Sequence, residues 1–169
     1  MNAGTVMGEV SDSLEAARVV TPDGQARWVP ASELDLAYRK SSLPRGAVVV
    51  GARFVTRDAD PAMRSRLAEV LAYRKSTQPL QYPSCGSVFA NPEGDHAGRL
   101  IEACGLKGHR IGDAQISEMH ANWIVNLGGA TATNVRDLID LCVRTVDDQH
   151  GVQLRHEVKM LGDWNGGAR

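Results

Sequence analysis

The spacing of apolar positions predicts that the first third of the chain is built from strands. Leu14–Val20 and Ala26–Val29 are rich in apolar residues and flank Thr21–Gly24, whose Pro-Asp-Gly sequence is typical of a tight turn, so together they predict a β-hairpin. The continuous apolar run Ala47–Val55 predicts a further strand, which is expected to be buried.

After this region, the apolar spacing changes to that of helices. Asp60 directly before Pro61 predicts a helix that has Asp60 as its N-cap and presents Met63, Leu67, Val70 and Leu71 on one face. A second helix is predicted over Ala97–Cys104, ending at Gly105, and a third over the stripe Val135–Val146.

Two short strands are predicted among these helices, at Asn122–Asn126 and at Val158–Leu161. The second part of the chain thus mixes helices with short strands. The predicted fold class is therefore α+β.

Composition excludes several classes of protein. The 169 residues carry 19 basic and 20 acidic side chains, and a net charge of −1 gives no reason to expect a nucleic-acid or anionic membrane partner. No apolar run approaches the roughly 20 residues that span a bilayer, and no signal peptide is recognisable, so a cytoplasmic protein is predicted. The three cysteines include no C-x-x-C pair, and the histidines show no metal-ligand spacing, so reduced thiols and no metal site are predicted.

The strongest chemical signal is the turn Pro83–Ser87. Gly86 before Ser87, and a proline on either side of the turn in Pro83 and Pro92, restrict the backbone, so that the Ser87 hydroxyl is held in a defined direction. Cys85 on the same turn suggests an alternative, the nucleophile of a Cys-His hydrolase. That alternative is disfavoured because nothing in the sequence identifies a group that lowers the pKa of the thiol.

Short segments spread along nearly the whole chain resemble the UDP-N-acetylenolpyruvoylglucosamine reductase family. They occur in the order and at the distances typical of that family, in its shorter subtype, which lacks an extra substrate-closing loop. The segments are Met1–Gly4, Tyr38–Ser41, Thr77–Leu80, Gly86–Phe89, Gly105–Gly108, Ser117–Asn122 and Glu157–Val158.

The resemblance implies two domains. Residues 1–57 would be the rear half of an FAD-binding domain, and residues 58–169 a small α+β substrate-binding domain. The glycine-rich loop that holds the FAD pyrophosphate in relatives is not found in this sequence, so the chain is expected to be a fragment that lacks the front half of the FAD-binding domain.

The implied reaction is reduction of an enolpyruvyl ether of UDP-N-acetylglucosamine to the lactyl ether, with NADPH and FAD, in peptidoglycan precursor synthesis. By resemblance, Ser87 protonates C2 of the enolpyruvyl group, and Arg39 holds its carboxylate with a planar fork. Glu157 is expected to polarise or protonate the other side of the enol system.

The resemblance also implies binding residues. Those for the substrate are Arg74, Lys75, Asn91 and His120, and those for FAD are Asn2, Ala3, Gly4 and Gly8. Without the resemblance, Arg74 and Lys75 would be the cationic end of a helix, and both roles remain open.

The chain departs from the usual family pattern at two positions. Ala90 stands where many relatives carry lysine, and His156 where proline is common. The first change is expected to weaken anion binding, and the second to loosen Glu157.

An alternative from a different class is a nucleotide-sugar-binding module that performs no reduction because it does not hold FAD. The two hypotheses differ in one observable. Only a reductase is yellow and oxidises NADPH when the enolpyruvyl sugar nucleotide is added.

Overall fold

The computed structural model describes residues 1–58 and 60–164, and within them it contains nine β-strands and three α-helices. The predicted α+β class is confirmed. The chain divides into two compact units, Met1–Val70 and Leu71–Arg169, called unit 1 and unit 2 below.

Unit 1 is built around the predicted hairpin. Two short paired strands, β1 (Gly4–Thr5) and β2 (Gly8–Glu9), precede an antiparallel sheet of β3 (Leu14–Val20), β4 (Ala26–Pro30) and β5 (Val48–Phe54) in the order β4-β3-β5. The hairpin prediction is confirmed, with Val20 paired to Ala26 next to the turn.

The prediction that β5 is buried is wrong. Val48, Val50 and Phe54 are 59%, 55% and 50% exposed. The small core of unit 1 consists of buried residues from β3, β4 and the segment that follows them. The strand β5 pairs with β3 at an edge of the sheet and contributes no buried residue. An apolar run specifies a strand here, but not its burial.

The helix predicted after Asp60 is present as α1 (Met63–Thr77). The Asp60 Oδ1 atom accepts a hydrogen bond of 2.8 Å from the Ala62 N–H, so the aspartate caps the start of the helix as predicted. The predicted apolar face is nevertheless largely exposed, and α1 has no buried residue.

Unit 2 contains the larger core. Its antiparallel sheet has the order β6-β9-β8-β7, with β6 (Ser84–Ser87), β7 (Arg110–Ile111), β8 (Ala114–Ile116) and β9 (Trp123–Asn126). The helix α3 (Ala132–His150) packs against β7 and β8, and α2 (Ala97–Ala103) packs against α3. These elements confirm the second and third predicted helices and the strand at Asn122–Asn126. The fully buried side chains at their centre include Leu100, Ile101, Ile116, Leu138 and Ile139.

The predicted strand at Val158–Leu161 is wrong. His156 forms a single antiparallel bridge with Phe89, and no strand follows it within residues 157–164. Continuing that pairing would place residues 158–161 opposite 84–87, where Gly86 adopts a φ of +79° and the pairing of β6 with β9 shifts register. The kink at Gly86 therefore ends the ladder.

Candidate functional site

Ser87 lies at the end of β6, directly after the kink at Gly86. No atom lies within 4 Å of the point where a Cβ on Gly86 would sit, so the glycine is needed for its left-handed φ rather than for close packing. Beyond the kink, Ser87 pairs with Trp123 of β9, and its side chain is exposed. The turn presents the hydroxyl outward from a fixed strand.

The structure brings three of the predicted site residues together. Ser87, Asn91 and His120 line one cavity of about 370 Å³ in unit 2. The same cavity is lined by residues that the sequence did not single out as site residues, among them Arg99, Glu102 and Asn122.

Asn91 joins this cavity to the start of α2. Its Oδ1 atom accepts a hydrogen bond of 3.1 Å from the Ala97 N–H, one of the first amides of the helix. This contact fixes the loop between Ser87 and α2, so that both ends of the loop contribute to the cavity.

Arg99 supplies a cation at the cavity. Its guanidinium forms two hydrogen bonds with the Asp95 carboxylate, and this contact, together with the His96 N–H, holds the pKa of Asp95 well below its usual range. Arg99 and Glu102 are three residues apart on α2, and so lie on one helix face close to Asn91. That spacing is the sequence signal by which these two charges could have been found.

His120 is half-buried at the cavity wall. Its Nδ1 atom accepts a hydrogen bond of 3.2 Å from the Asn122 N–H, and its ring lies 6.5 Å from that of Trp123. Burial, with a smaller contribution from the charge of Lys107, lowers the pKa of His120 below its ordinary value of 6.5. The shift favours the neutral imidazole at pH 7, and because Nδ1 accepts a hydrogen bond, the neutral ring carries its proton on Nε2.

Acidification is expected to destabilise the fold through His120. Because its pKa is lower in the folded than in the unfolded chain, the unfolded state binds more protons just below pH 6.5, and the free energy of unfolding falls as the pH falls through that window. His120→Asn keeps an acceptor near the Asn122 N–H but does not titrate. Urea unfolding at pH 7.5 and pH 5.5 is expected to show a larger loss for the wild type than for His120→Asn. Equal losses in both proteins would contradict the assignment.

Glu157 is placed next to the strand segment that carries Ser87. Its main-chain N–H donates a hydrogen bond of 2.8 Å to the Val88 carbonyl, and the Ala90 N–H donates one of 3.0 Å to the Arg155 carbonyl. Glu157 and Val88 are thus far apart in sequence but directly hydrogen-bonded in the fold. His156 between these contacts is held by its bridge to Phe89 and by a 3.0 Å contact of Nδ1 with the Val158 carbonyl, so the expected loosening of Glu157 is opposed by these contacts.

Arg39 belongs to unit 1, where it has a left-handed φ of +54° and stacks over the Tyr38 ring at 5.0 Å. A Cβ on Gly4 would lie 3.2 Å from Arg39 Nη1 and 3.0 Å from Glu9 Cγ. The glycine therefore makes room for the guanidinium. The predicted cofactor segment and Arg39 lie side by side.

The remaining predicted cofactor residues form a constrained turn. Asn2 is 5% exposed and has a φ of +44°, and its side chain donates to Glu9 Oε2 (2.7 Å) and accepts from the Ser11 N–H (2.9 Å). Ala3 is exposed. Gly8 has a φ of +129°, a backbone conformation that residues with a side chain rarely adopt, so that position favours glycine. The side-chain contacts of Asn2 hold the turn while Ala3 faces outward.

Arg74 and Lys75 are not brought into the cavity. Both are exposed in the last turn of α1, and Arg74 Nε donates a hydrogen bond of 3.1 Å to Gln78 Oε1. The cation that lines the cavity is Arg99 instead. The positions of Arg74 and Lys75 in the last turn of α1 fit the role of cations that stabilise a helix C-terminus.

Other chemistries find little support in the described residues. Burial raises the pKa of the Cys85 thiol, so a thiolate nucleophile is disfavoured at neutral pH. Among residues 1–58 and 60–164, no cluster of three or more histidine, cysteine or acidic side chains has the arrangement of a metal site. None of the described helices is both long and apolar enough to cross a membrane.

Comparison with known proteins gives a consistent set of relatives. Residues 78–161 match the family model of the UDP-N-acetylenolpyruvoylglucosamine reductase C-terminal domain. Proteins named UDP-N-acetylenolpyruvoylglucosamine reductase from Myxococcus xanthus and Agathobacter rectalis are 51% and 47% identical over 165 and 166 residues. Each alignment covers 97% of this chain and 53% of the relative.

A solved structure is also similar. The crystal structure of UDP-N-acetylenolpyruvylglucosamine reductase from Thermus caldophilus matches with a TM-score of 0.80 and 44% identity, over 93% of this chain and 57% of that one. The chain thus spans about half the length of the relatives that it matches.

Proposed function

Because the chain belongs to the UDP-N-acetylenolpyruvoylglucosamine reductase family, we propose that it acts in reduction of the enolpyruvyl ether of UDP-N-acetylglucosamine to the lactyl ether, a step of peptidoglycan precursor synthesis in the cytoplasm. The observation that carries this proposal is the gathering of Ser87, Asn91 and His120 around one cavity. Residues 1–57 would belong to the FAD-binding domain and residues 58–169 to the substrate-binding domain.

FAD and NADPH are the proposed cofactors. Residues 2–8 fit contact with one edge of a flavin, because side-chain contacts hold this turn while Ala3 remains exposed. The described residues offer no glycine-rich turn for the pyrophosphate, so they fit part of the cofactor only. When bound, FAD supplies the hydride for the enolpyruvyl double bond after receiving it from NADPH.

Ser87 is proposed to deliver the proton. Hydride addition at C3 leaves enolate-like charge on the substrate carboxylate, and C2 must then be protonated. A serine hydroxyl is a weak acid, so its position at C2 and the stabilisation of the developing charge by other groups must lower the barrier.

Arg39 and Glu157 are proposed to act on the charge that develops. The Arg39 guanidinium presents two parallel N–H donors to a carboxylate, which a lysine does not. Glu157, whose main chain bonds to the residue after Ser87, would polarise or protonate the enol system.

Asn91, His120 and Arg99 are proposed to bind the polar part of the sugar nucleotide. Asn91 and His120 offer hydrogen bonds, and the Arg99 side chain offers a cation at the cavity wall. The Arg74 and Lys75 side chains remain candidates for the diphosphate, from their exposed positions on α1.

A catalytically silent nucleotide-sugar-binding module is the second candidate. The observation that favours it is that the cavity with Ser87, Asn91 and His120 is lined entirely by residues of unit 2. Binding of the sugar nucleotide to these residues would not by itself require FAD.

One experiment separates the two candidates. The purified chain is incubated with FAD, and the absorbance of NADPH is followed after addition of the enolpyruvyl sugar nucleotide. We expect oxidation of NADPH with this substrate and none with UDP-N-acetylglucosamine, which lacks the double bond. A chain that binds the enolpyruvyl sugar nucleotide by calorimetry but oxidises no NADPH would overturn the reductase proposal and support the binding module.

A further inference from the structure

Asn122 holds the two residues that directly follow Ser87. Asn122 is 5% exposed, and both ends of its side-chain amide bond to one residue. Its Oδ1 atom accepts from the Phe89 N–H (2.9 Å), and its Nδ2 atom donates to the Phe89 carbonyl (2.8 Å). Its main-chain carbonyl accepts a further bond of 2.9 Å from the Val88 N–H. The side-chain amide thus takes the place of a paired strand residue.

These bonds lie where the regular sheet ends. On the near side of Ser87, Gly86 has a left-handed φ and the register of β6 against β9 shifts, so the ladder gives Ser87 little support there. The last regular pair is Ser87 with Trp123. Beyond it, the Asn122 side chain provides the contacts with Phe89 that a continued β9 would have provided.

The same segment is bonded on its other edge to the Glu157 region. Val88 accepts from the Glu157 N–H, and Ala90 donates to the Arg155 carbonyl. Loss of the Asn122 amide would leave the Phe89 N–H and carbonyl unsatisfied in a buried place, and this part of the strand would shift to satisfy them. Such a shift would also move Ser87, because Gly86 before it has the backbone freedom to follow the change.

Asn122 also lines the cavity with Ser87, and its main-chain N–H fixes His120 Nδ1. We propose that Asn122 is a positioning residue, which acts through the main chain of Phe89 to hold the Ser87 hydroxyl where the substrate is protonated. This inference rests on the proposed reductase function. It is testable in part without that function.

The first test measures amide hydrogen exchange in the whole chain, with Asn122→Ala and Asn122→Asp. The aspartate variant keeps the shape and the acceptor but turns the donor to Phe89 into an oxygen. We expect exchange at the Val88 and Phe89 amides to speed up by about tenfold or more in Asn122→Ala, while the amides at the centre of α3 keep their protection. In Asn122→Asp, the increase in the exchange rate of these two amides is expected to be smaller than in Asn122→Ala. Unchanged exchange at Val88 and Phe89 in either folded variant would overturn the proposal.

The second test is kinetic. Misplacement of a reacting group by about 1 Å is sufficient to cost roughly 100-fold in rate, so we expect Asn122→Ala to lower kcat for the enolpyruvyl sugar nucleotide by about 10- to 100-fold, with KM within about threefold. Oxidation of NADPH by an artificial electron acceptor is expected to be unchanged. The solvent deuterium isotope effect on kcat is expected to rise, because proton delivery becomes slower relative to the other steps.

A double-mutant cycle separates positioning from a structural effect. If Asn122 acts through Ser87, the double variant with Ser87→Ala will be no slower than Ser87→Ala alone. If kcat in the double variant instead falls by the product of the two single losses, the proposal is overturned. Asn134→Ala is the matched control, because it also removes an amide that bonds to main chain, at the start of α3 and away from the cavity. Its kcat is expected to stay at the wild-type value. If the wild type itself reduces no substrate, the proposed function fails, and hydrogen exchange alone decides whether Asn122 positions Ser87.

Discussion

Ser87→Ala is expected to lower kcat for reduction of the enolpyruvyl sugar nucleotide by about 10²- to 10⁴-fold, the range that a positioned proton donor contributes. KM is expected to stay within about threefold, because the hydroxyl contributes mainly after hydride transfer, when C2 needs its proton. The Ser87 side chain is exposed at the cavity, so its removal leaves no void in the core. The measurement is the initial rate of NADPH oxidation over a range of substrate concentrations.

Ser84→Ala is the matched control for this experiment. Ser84 lies at the other end of β6, is also exposed, and is absent from the lining of the Ser87 cavity. Its kcat is expected to equal that of the wild type. Ser87→Cys, which keeps a proton donor of lower pKa at nearly the same place, is expected to retain more activity than Ser87→Ala. A kcat for Ser87→Ala close to that of the wild type would remove Ser87 as the proton donor.

The best predicted elements are those whose sequence carries both periodicity and end signals. The helix α3 has an apolar stripe, and its start is fixed by a capping box in which Thr131 and Asn134 exchange hydrogen bonds, while Gly151 with a φ of +65° ends it. In α3, the local signals at the helix ends and the packing of its apolar stripe favour the same structure. The strand β5 was recognised from its apolar run, but its burial depends on what packs against it, and the strand's own residues do not contain that information.

Short sequence motifs identify some residues of the candidate site, but not those that only the fold brings together. Ser87 was recognisable from its turn, and the resemblance added Asn91 and His120, which line the same cavity. The nearness of Glu157 to this group depends on the pairing of residues 155–157 with 88–90, which has no local sequence signal. Arg99 and Asn122 were missed as site residues for different reasons. Arg99 looks like an ordinary surface charge on a helix, and the role of Asn122 is visible only in its two hydrogen bonds to Phe89.

Arg39→Ala is expected to lower kcat/KM for the enolpyruvyl sugar nucleotide by about 10²- to 10³-fold, comparable to the loss of one preorganised donor to a developing oxyanion. Both constants are expected to change, because the guanidinium would bind the carboxylate in the ground state and more strongly as charge develops on it. Arg39→Lys keeps the charge but not the planar fork, and is expected to recover only part of the loss. The measurement is the same rate of NADPH oxidation, with calorimetric binding of the sugar nucleotide as a second readout.

Two further variants show whether the effect belongs to this guanidinium. Arg27→Ala removes an exposed arginine of β4 that pairs with Glu33, and its kinetics are expected to be those of the wild type. Gly4→Ala adds a methyl group 3.2 Å from Arg39 Nη1 and 3.0 Å from Glu9 Cγ, so both side chains must shift by a few tenths of an ångström, and kcat/KM is expected to fall even though Arg39 itself is retained. Full activity in Arg39→Lys would show that a positive charge alone holds the carboxylate. Full activity in Arg39→Ala would exclude Arg39 from the reaction, and a fall in Gly4→Ala would then have to come from the turn that Gly4 shares with Asn2 and Ala3.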